Sequence, residues 1–141
     1  SKIEVFYKTL QKDFNIQYPR IAVMGLNPHH GDGGLYGKEE IDVIIPAIEE
    51  ARDKDILIFG PFSGDGFFGS AAWLKYDGIL CMYHDQAMIP FKTLAIDGGV
   101  NFTAGLPVIR TAPDHGTGYD IANKNIANPD SFRHAIYFVN K

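Results

Sequence analysis

A chain of 141 residues with 45% hydrophobic and 21% charged residues has the size and balance of a globular domain that can bury a real core. Its net charge of −4 offers no electrostatic reason to expect nucleic acid, and a single cysteine, Cys81, excludes an internal disulfide or a thiolate metal cluster. The longest apolar runs are far shorter than a membrane span and the first residues do not read as a signal peptide, so the expected setting is the reducing cytoplasm, with neither nucleic acid nor membrane as partner.

In chain order, "SKIEVFYKTLQKDF" places Ile3, Phe6, Tyr7, Leu10 and Phe14 at helical spacing and predicts a helix over 1–14. A chain that opens inside so amphipathic a helix reads as cut from a longer one, and this helix is expected to turn apolar surface toward the absent part. "RIAVMGL" (20–26) predicts a buried strand and "NPHHGDGGLYG" its C-terminal loop. "KEEIDVIIPAIEEAR" (38–52) predicts a helix with Glu39 and Glu40 at its positive end, a stripe of Ile41, Ile44, Ile45 and Ile48, and a bend or a distorted turn at Pro46. "DILIFGP" (55–61) is a second strand before the glycine-rich loop "FSGDGFFGSAAW", and "DGILCMYHDQ" (77–86) a third. Residues 100–116 read as two extended segments around Gly105–Pro107, and 131–141 as a helix that Ser131 or Asp130 caps. Strand, glycine loop, helix, strand is the rhythm of an α/β fold with a mostly parallel sheet.

Ligands of such sheets collect beyond the carboxyl ends of strands, and His29, Asp65 and His84–Asp85 each follow a predicted strand. The opening loop has neither the lysine and hydroxyl of a Walker loop nor a G-x-G-x-x-G fingerprint, so glycines there serve a turn rather than a self-standing phosphate cradle. Imidazole suits zinc, cobalt or manganese, and an adjacent carboxylate can orient it, which makes His29 and His84 candidate ligands. They stand 55 residues apart, so any shared site is assembled from two strand ends, and two imidazoles are one short of the usual three protein ligands. Each of the two also reads as an ordinary structural histidine. Lys92, Asn101 and Arg110 are polar groups in or beside apolar runs, which fits an anionic substrate as well as surface ion pairs. A metallohydrolase that activates water on His29 and His84 is a further reading; it requires a third ligand nearby.

The stretches "GLNPHHGDGG", "EEIDVIIPAIEEAR", "GPFSGDGFF", "MYHDQAMIPFK", "GGVNFTAGLPVIRTAPDHGTGYDIA" and "ANPDSFRHAI" together resemble the 4-hydroxythreonine-4-phosphate dehydrogenases of vitamin B6 biosynthesis, in order and over nearly the whole chain. "YHDQ" followed by "GVNFTAGLPVIRTAPDHGT" is the specific part. The resemblance implies the fold of the isocitrate and isopropylmalate dehydrogenase relatives, incomplete because an N-terminal half is absent, and a homodimer with its site at the interface. It implies oxidation and decarboxylation of 4-phosphohydroxy-L-threonine, a phosphorylated hydroxy-amino acid, to 3-amino-2-oxopropyl phosphate, with NAD or NADP and a divalent metal (zinc, magnesium, manganese or cobalt). By position it makes His29 and His84 metal ligands and Lys92, Asn101 and Arg110 substrate-binding residues. "HGTGYDIANKNIANP" also looks like the adenosine-binding stretch of isopropylmalate dehydrogenases, which makes His115, Gly116, Thr117, Asp120 and Asn128 cofactor candidates. Asp65 or Asp85 is expected to be the base or to orient the metal ligands, and the sequence leaves the choice open. The family's third metal histidine and a substrate-contacting His-Thr pair fall outside this chain, so residues 1–141 are expected to be the C-terminal part of a metal- and nucleotide-binding dehydrogenase. A family member acting on a phosphorylated four-carbon sugar acid, or an inactive fragment, are the alternatives.

Overall fold

A computed structural model describes residues 1–95 and 98–139, in two compact units, Ser1–Pro90 and Phe91–Lys141. The first unit is built on β1 (Ile21–Met24), whose four apolar residues are all buried. Successive side chains of a strand point to opposite faces, so an unbroken apolar run demands cover on both. β1 is the middle of a parallel sheet ordered β2-β1-β3, with β2 at Ile58–Phe62 and β3 at Gly78–Leu80; Ile21 lies opposite both Ile58 and Gly78.

On one face Ile21 and Val23 pack with Ile3 and Leu10 of α1 (Lys2–Lys12), with Ile44, and with Ile48 and Ala51 of α2 (Ile45–Arg52). On the other, Ala22 and Met24 meet Phe67 of α3 (Gly64–Gly69), ringed by Phe62, Trp73 and Tyr76. Each aliphatic side chain so buried contributes about 1.5–3 kcal/mol. The expected α/β architecture, a parallel sheet flanked by helices, is what forms. The apolar face of α1 is not held in reserve for an absent part of the chain: Ile3 and Leu10 are buried within this unit.

Several local readings change, and the expected glycine-rich loop 62–73 contains α3. The expected helix 38–52 is two pieces, a π-helical turn over Glu40–Ile44 and then α2. Pro46 falls in the first turn of α2, where its missing N–H is no loss. The expected strand 77–86 stops at Leu80, and α4 (His84–Leu94) follows, so His84 and Asp85 open a helix instead of ending a strand. The Met82 N–H is taken by the Gln86 side chain at 2.8 Å, not by a neighbouring strand, and Asp85 sits where a helix N-terminus favours negative charge.

In the second unit β4 (Val100–Phe102) and β5 (Thr111–Pro113) pair antiparallel, Asn101 opposite Ala112, which are the two extended segments expected around Gly105–Pro107. α5 (Asp130–Val139) is fixed to this hairpin by Thr111 Oγ1 donating to Ala135 O at 2.9 Å and by the Phe102 and Phe138 rings 5.7 Å apart. Residues 140 and 141 of the expected helix lie outside the described residues. Ser131 is not its cap: its Oγ accepts from Asp114 N and donates to Gly99 O, while Asn128 Oδ1 accepts the Asp130 N–H. Among the described residues no helix is long and apolar enough to cross a membrane.

Candidate functional site

The loop after β1 turns through a left-handed run: φ is 53° at His29, 46° at His30, 89° at Gly31, 44° at Asp32 and 63° at Gly33. The glycines adopt this freely, but each L-residue there costs roughly 1–2 kcal/mol. Such strain persists only where surrounding contacts enforce it. Here the enforcer is Glu40. Its Oε1 accepts from Leu26 N and Asn27 N, both at 2.7 Å, and its Oε2 from Asn27 Nδ2 at 2.9 Å. Burial alone would raise the Glu40 pKa, but these donors outweigh it and hold the carboxyl below the usual range. The π-helical turn is what brings this side chain inward.

His29 lines a cleft of about 400 Å³ at the carboxyl edge of the parallel sheet. Asp65, in the first turn of α3, and Asp85, in the first turn of α4, line the same cleft. Three loops of the first unit thus deliver an imidazole and two carboxylates to one place. Asp65 accepts from Ser63 Oγ at 2.5 Å and Gly66 N at 2.8 Å, and these bonds, with a smaller effect of nearby His29, hold its pKa below the ordinary carboxylate value. Asp65 is therefore firmly anionic and a weak proton acceptor. His84 stands just off the cleft wall, 81% exposed, with Nδ1 2.8 Å from Asp85 Oδ1. A ring nitrogen engaged by a carboxylate leaves Nε2 free, the arrangement in which an imidazole takes a divalent cation. Among the described residues no three His, Cys, Asp or Glu are grouped to hold a metal ion. Imidazole and carboxylate are donors that a borderline divalent cation accepts.

The second unit contains its own cavity of about 940 Å³. Its wall includes all five residues expected to hold a nucleotide: His115, Gly116, Thr117, Asp120 and Asn128. The volume lies at the upper end of small-molecule sites, and the polar backbone of 115–118 with three asparagines offers hydrogen-bonding groups to a polar ligand. Lys92 shares this wall, its Nζ bonded to the carboxylate of Asp114 at 2.5 Å and to the Asp114 carbonyl at 2.9 Å. Asn101 is exposed on β4, and Arg110 is exposed before β5 with Nη1 on Thr103 Oγ1 at 2.8 Å. Neither belongs to the cavity wall, so within this unit the three expected substrate residues are not gathered at it.

Two residues that sequence reasoning passed over organise the first site. Glu40 reads as one of two acids at a helix start, and nothing in "KEEID" says which faces inward. Gln86 closes the quoted "YHDQ", yet only a structure shows its amide reaching Gly25 O, 61 residues earlier, at 2.7 Å.

Comparison with known proteins shows what shares these features. The family described as pyridoxal phosphate biosynthetic protein PdxA matches residues 1–139. A 4-hydroxythreonine-4-phosphate dehydrogenase of Bacteroides thetaiotaomicron is 58% identical over 136 residues, covering 96% of this chain and 37% of that protein. One from Caulobacter vibrioides is 54% identical over 134 residues, covering 95% of this chain and 40% of its own. The chain thus spans about two fifths of the length of these relatives. Among solved structures, a 4-hydroxythreonine-4-phosphate dehydrogenase from Klebsiella pneumoniae superposes with a TM-score of 0.82 at 43% identity, over 97% of this chain and 41% of that one. A terephthalate 1,2-cis-dihydrodiol dehydrogenase from Burkholderia xenovorans LB400 superposes with a TM-score of 0.72 at 34% identity, over 95% and 42%.

Proposed function

Because the chain belongs to the pyridoxal phosphate biosynthetic protein PdxA family, we propose that it is the part of an oxidoreductase that oxidises 4-phosphohydroxy-L-threonine and releases its carboxylate as carbon dioxide. The observation that carries this reading is the cleft in which His29, Asp65 and Asp85, from three separate loops, face one space. When bound, a nicotinamide dinucleotide takes the hydride of the secondary alcohol, and a divalent cation acidifies that alcohol and stabilises the negative charge that develops on its oxygen.

The residues of the chain divide the remaining work. His29 and His84 would hold the cation, His84 with Nδ1 kept on Asp85. Asp65, already satisfied by Ser63 and Gly66, orients groups around the cation, and Asp85, whose Oδ1 is engaged by His84, is assigned to receive the hydroxyl proton at Oδ2. Lys92, Asn101 and Arg110 are assigned to the anionic substrate, and His115, Gly116, Thr117, Asp120 and Asn128 to the dinucleotide, NAD or NADP. Their common placement in one cavity supports the last assignment. The names of the matched relatives favour an aminated, phosphorylated acid over a sugar acid and a dehydrogenase over a hydrolase. Homodimer assembly and a cytoplasmic location belong to the same proposal.

The test is turnover of 4-phosphohydroxy-L-threonine by the full-length protein with either dinucleotide, before and after removal of divalent metal. Arg110→Ala is expected to raise the substrate KM about tenfold or more, the loss of one charge-assisted contact worth about 1.5–3 kcal/mol, and to leave the dinucleotide KM within twofold. An unchanged substrate KM would return Arg110 to a structural role on Thr103.

A further inference from the structure

Gln86 bridges two of the segments around the cleft and lies beside the third. Its Nε2 donates to Gly25 O at 2.7 Å, where β1 hands over to the His29 loop. Its Oε1 accepts from Met82 N at 2.8 Å, in the turn that leads into His84 and Asp85. A Cβ built on Gly64, the residue before Asp65, would lie 3.7 Å from the Gln86 amide nitrogen. Gly25 is itself held on other sides: its N–H donates to Phe62 O at 2.8 Å, and Glu40 Oε1 stands 3.1 Å from where a Cβ would be. The imidazoles of His29 and His84 are exposed, so what fixes their separation is the backbone beneath them, and beyond the paired ends of β1 and β3 the Gln86 amide ties that backbone across.

The tie needs a donor and an acceptor at opposite ends of one planar group, on a stem of two methylenes. Glutamate would set a carboxylate oxygen against the Gly25 carbonyl, asparagine is one methylene short, and methionine has the length without the bonds. We propose that Gln86 is a positioning residue that sets the spacing of His29 and His84 for a divalent cation. This rests on the reading of those two histidines as ligands. Losing the tie leaves both rings in place chemically but frees their backbones to separate, so cation affinity falls while the sheet and its core, which Gln86 does not enter, persist.

The experiment compares full-length wild type with Gln86→Met and Gln86→Asn, and with His29→Ala and His84→Ala, by Co(II) titration of the metal-free proteins. The readouts are the dissociation constant and the visible absorption band of bound Co(II), with circular dichroism and thermal unfolding to show that each variant is folded. The expected result is a weakening of Co(II) binding of about tenfold or more, with a shifted or weakened band, in folded Gln86→Met and Gln86→Asn. A folded Gln86 variant with a wild-type constant and band overturns the proposal. So does unfolding of both variants, which would assign Gln86 to the fold as a whole. Wild-type Co(II) binding in His29→Ala and His84→Ala would instead overturn the ligand reading beneath it, and the two failures are told apart by which set of variants keeps the ion.

Discussion

Glu40 is 2% exposed and still ionised, because two backbone N–H groups and an amide take the place of water around its oxygens. Removing the carboxylate strands those donors, so Glu40→Ala is expected to lower stability by about 3 kcal/mol in denaturant unfolding at neutral pH. The pH dependence follows from a pKa lowered on folding. The stabilisation is fully present above the ordinary glutamate value near 4.5 and is lost as pH falls through the lower folded value. Denaturant midpoints followed from neutral to acid pH should therefore drop more steeply for wild type than for Glu40→Gln, and parallel curves would show that Glu40 does not titrate with folding. At this scale little was legible. Glu39 and Glu40 are identical in sequence terms, and both accept from the Asn27 amide, but Glu40 alone of the two is buried and takes the Leu26 and Asn27 N–H groups.

The loop of His29 is an element that glycine content announced but did not describe. Its turn was readable from four glycines; that His29, His30 and Asp32 would share the left-handed conformation was not, since L-residues enter it only when held. Two positions separate the contributions. Gly31 and Gly33 both have positive φ, but an added Cβ at Gly31 would stand 2.8 Å from Glu40 Oε2, and at Gly33 it would meet nothing within 4 Å. Gly33→Ala should cost about 1 kcal/mol and Gly31→Ala about 2–4 kcal/mol, read as thermal unfolding shifts. Equal shifts would mean that Glu40 moves aside freely and is not the brace of the loop. β1 was legible because an all-apolar run can only be a doubly covered strand or a buried helix, and its length decided. α4 was not, because "ILCMY" carries β-type composition up to His84 and the helix is begun by Asp85 and by Gln86, which accepts the Met82 N–H four residues earlier and is itself held by its long-range bond to Gly25 O.

For the chain as a whole, the order of motifs identified the family, while the pairing of parallel strands was only implied by the alternation of elements. The 141-residue chain covers 37% and 40% of two relatives' lengths. Two imidazoles are fewer protein ligands than a tight catalytic site normally uses. Purified by itself, this chain is expected to reduce NAD or NADP at no measurable rate with 4-phosphohydroxy-L-threonine and added Zn(II), Mg(II), Mn(II) or Co(II), under conditions where a full-length relative turns over. Dinucleotide reduction by the isolated chain, followed at 340 nm in preparations free of the longer protein, would place the active site wholly within these residues.

The central position of β1 also governs the order in which the first unit can be born. Ile21 waits for Ile58 on one side and for Gly78, 57 residues later, on the other. At synthesis rates of about 5–20 residues per second, that is roughly 3–11 s during which the most apolar strand of the nascent chain has an open edge. β4 and β5, separated by eight residues, close their hairpin without such a delay. The same residues that later hide in the middle of the sheet thus present an open strand edge during synthesis, and Ile21–Met24 is a segment through which an interrupted or crowded translation product would aggregate.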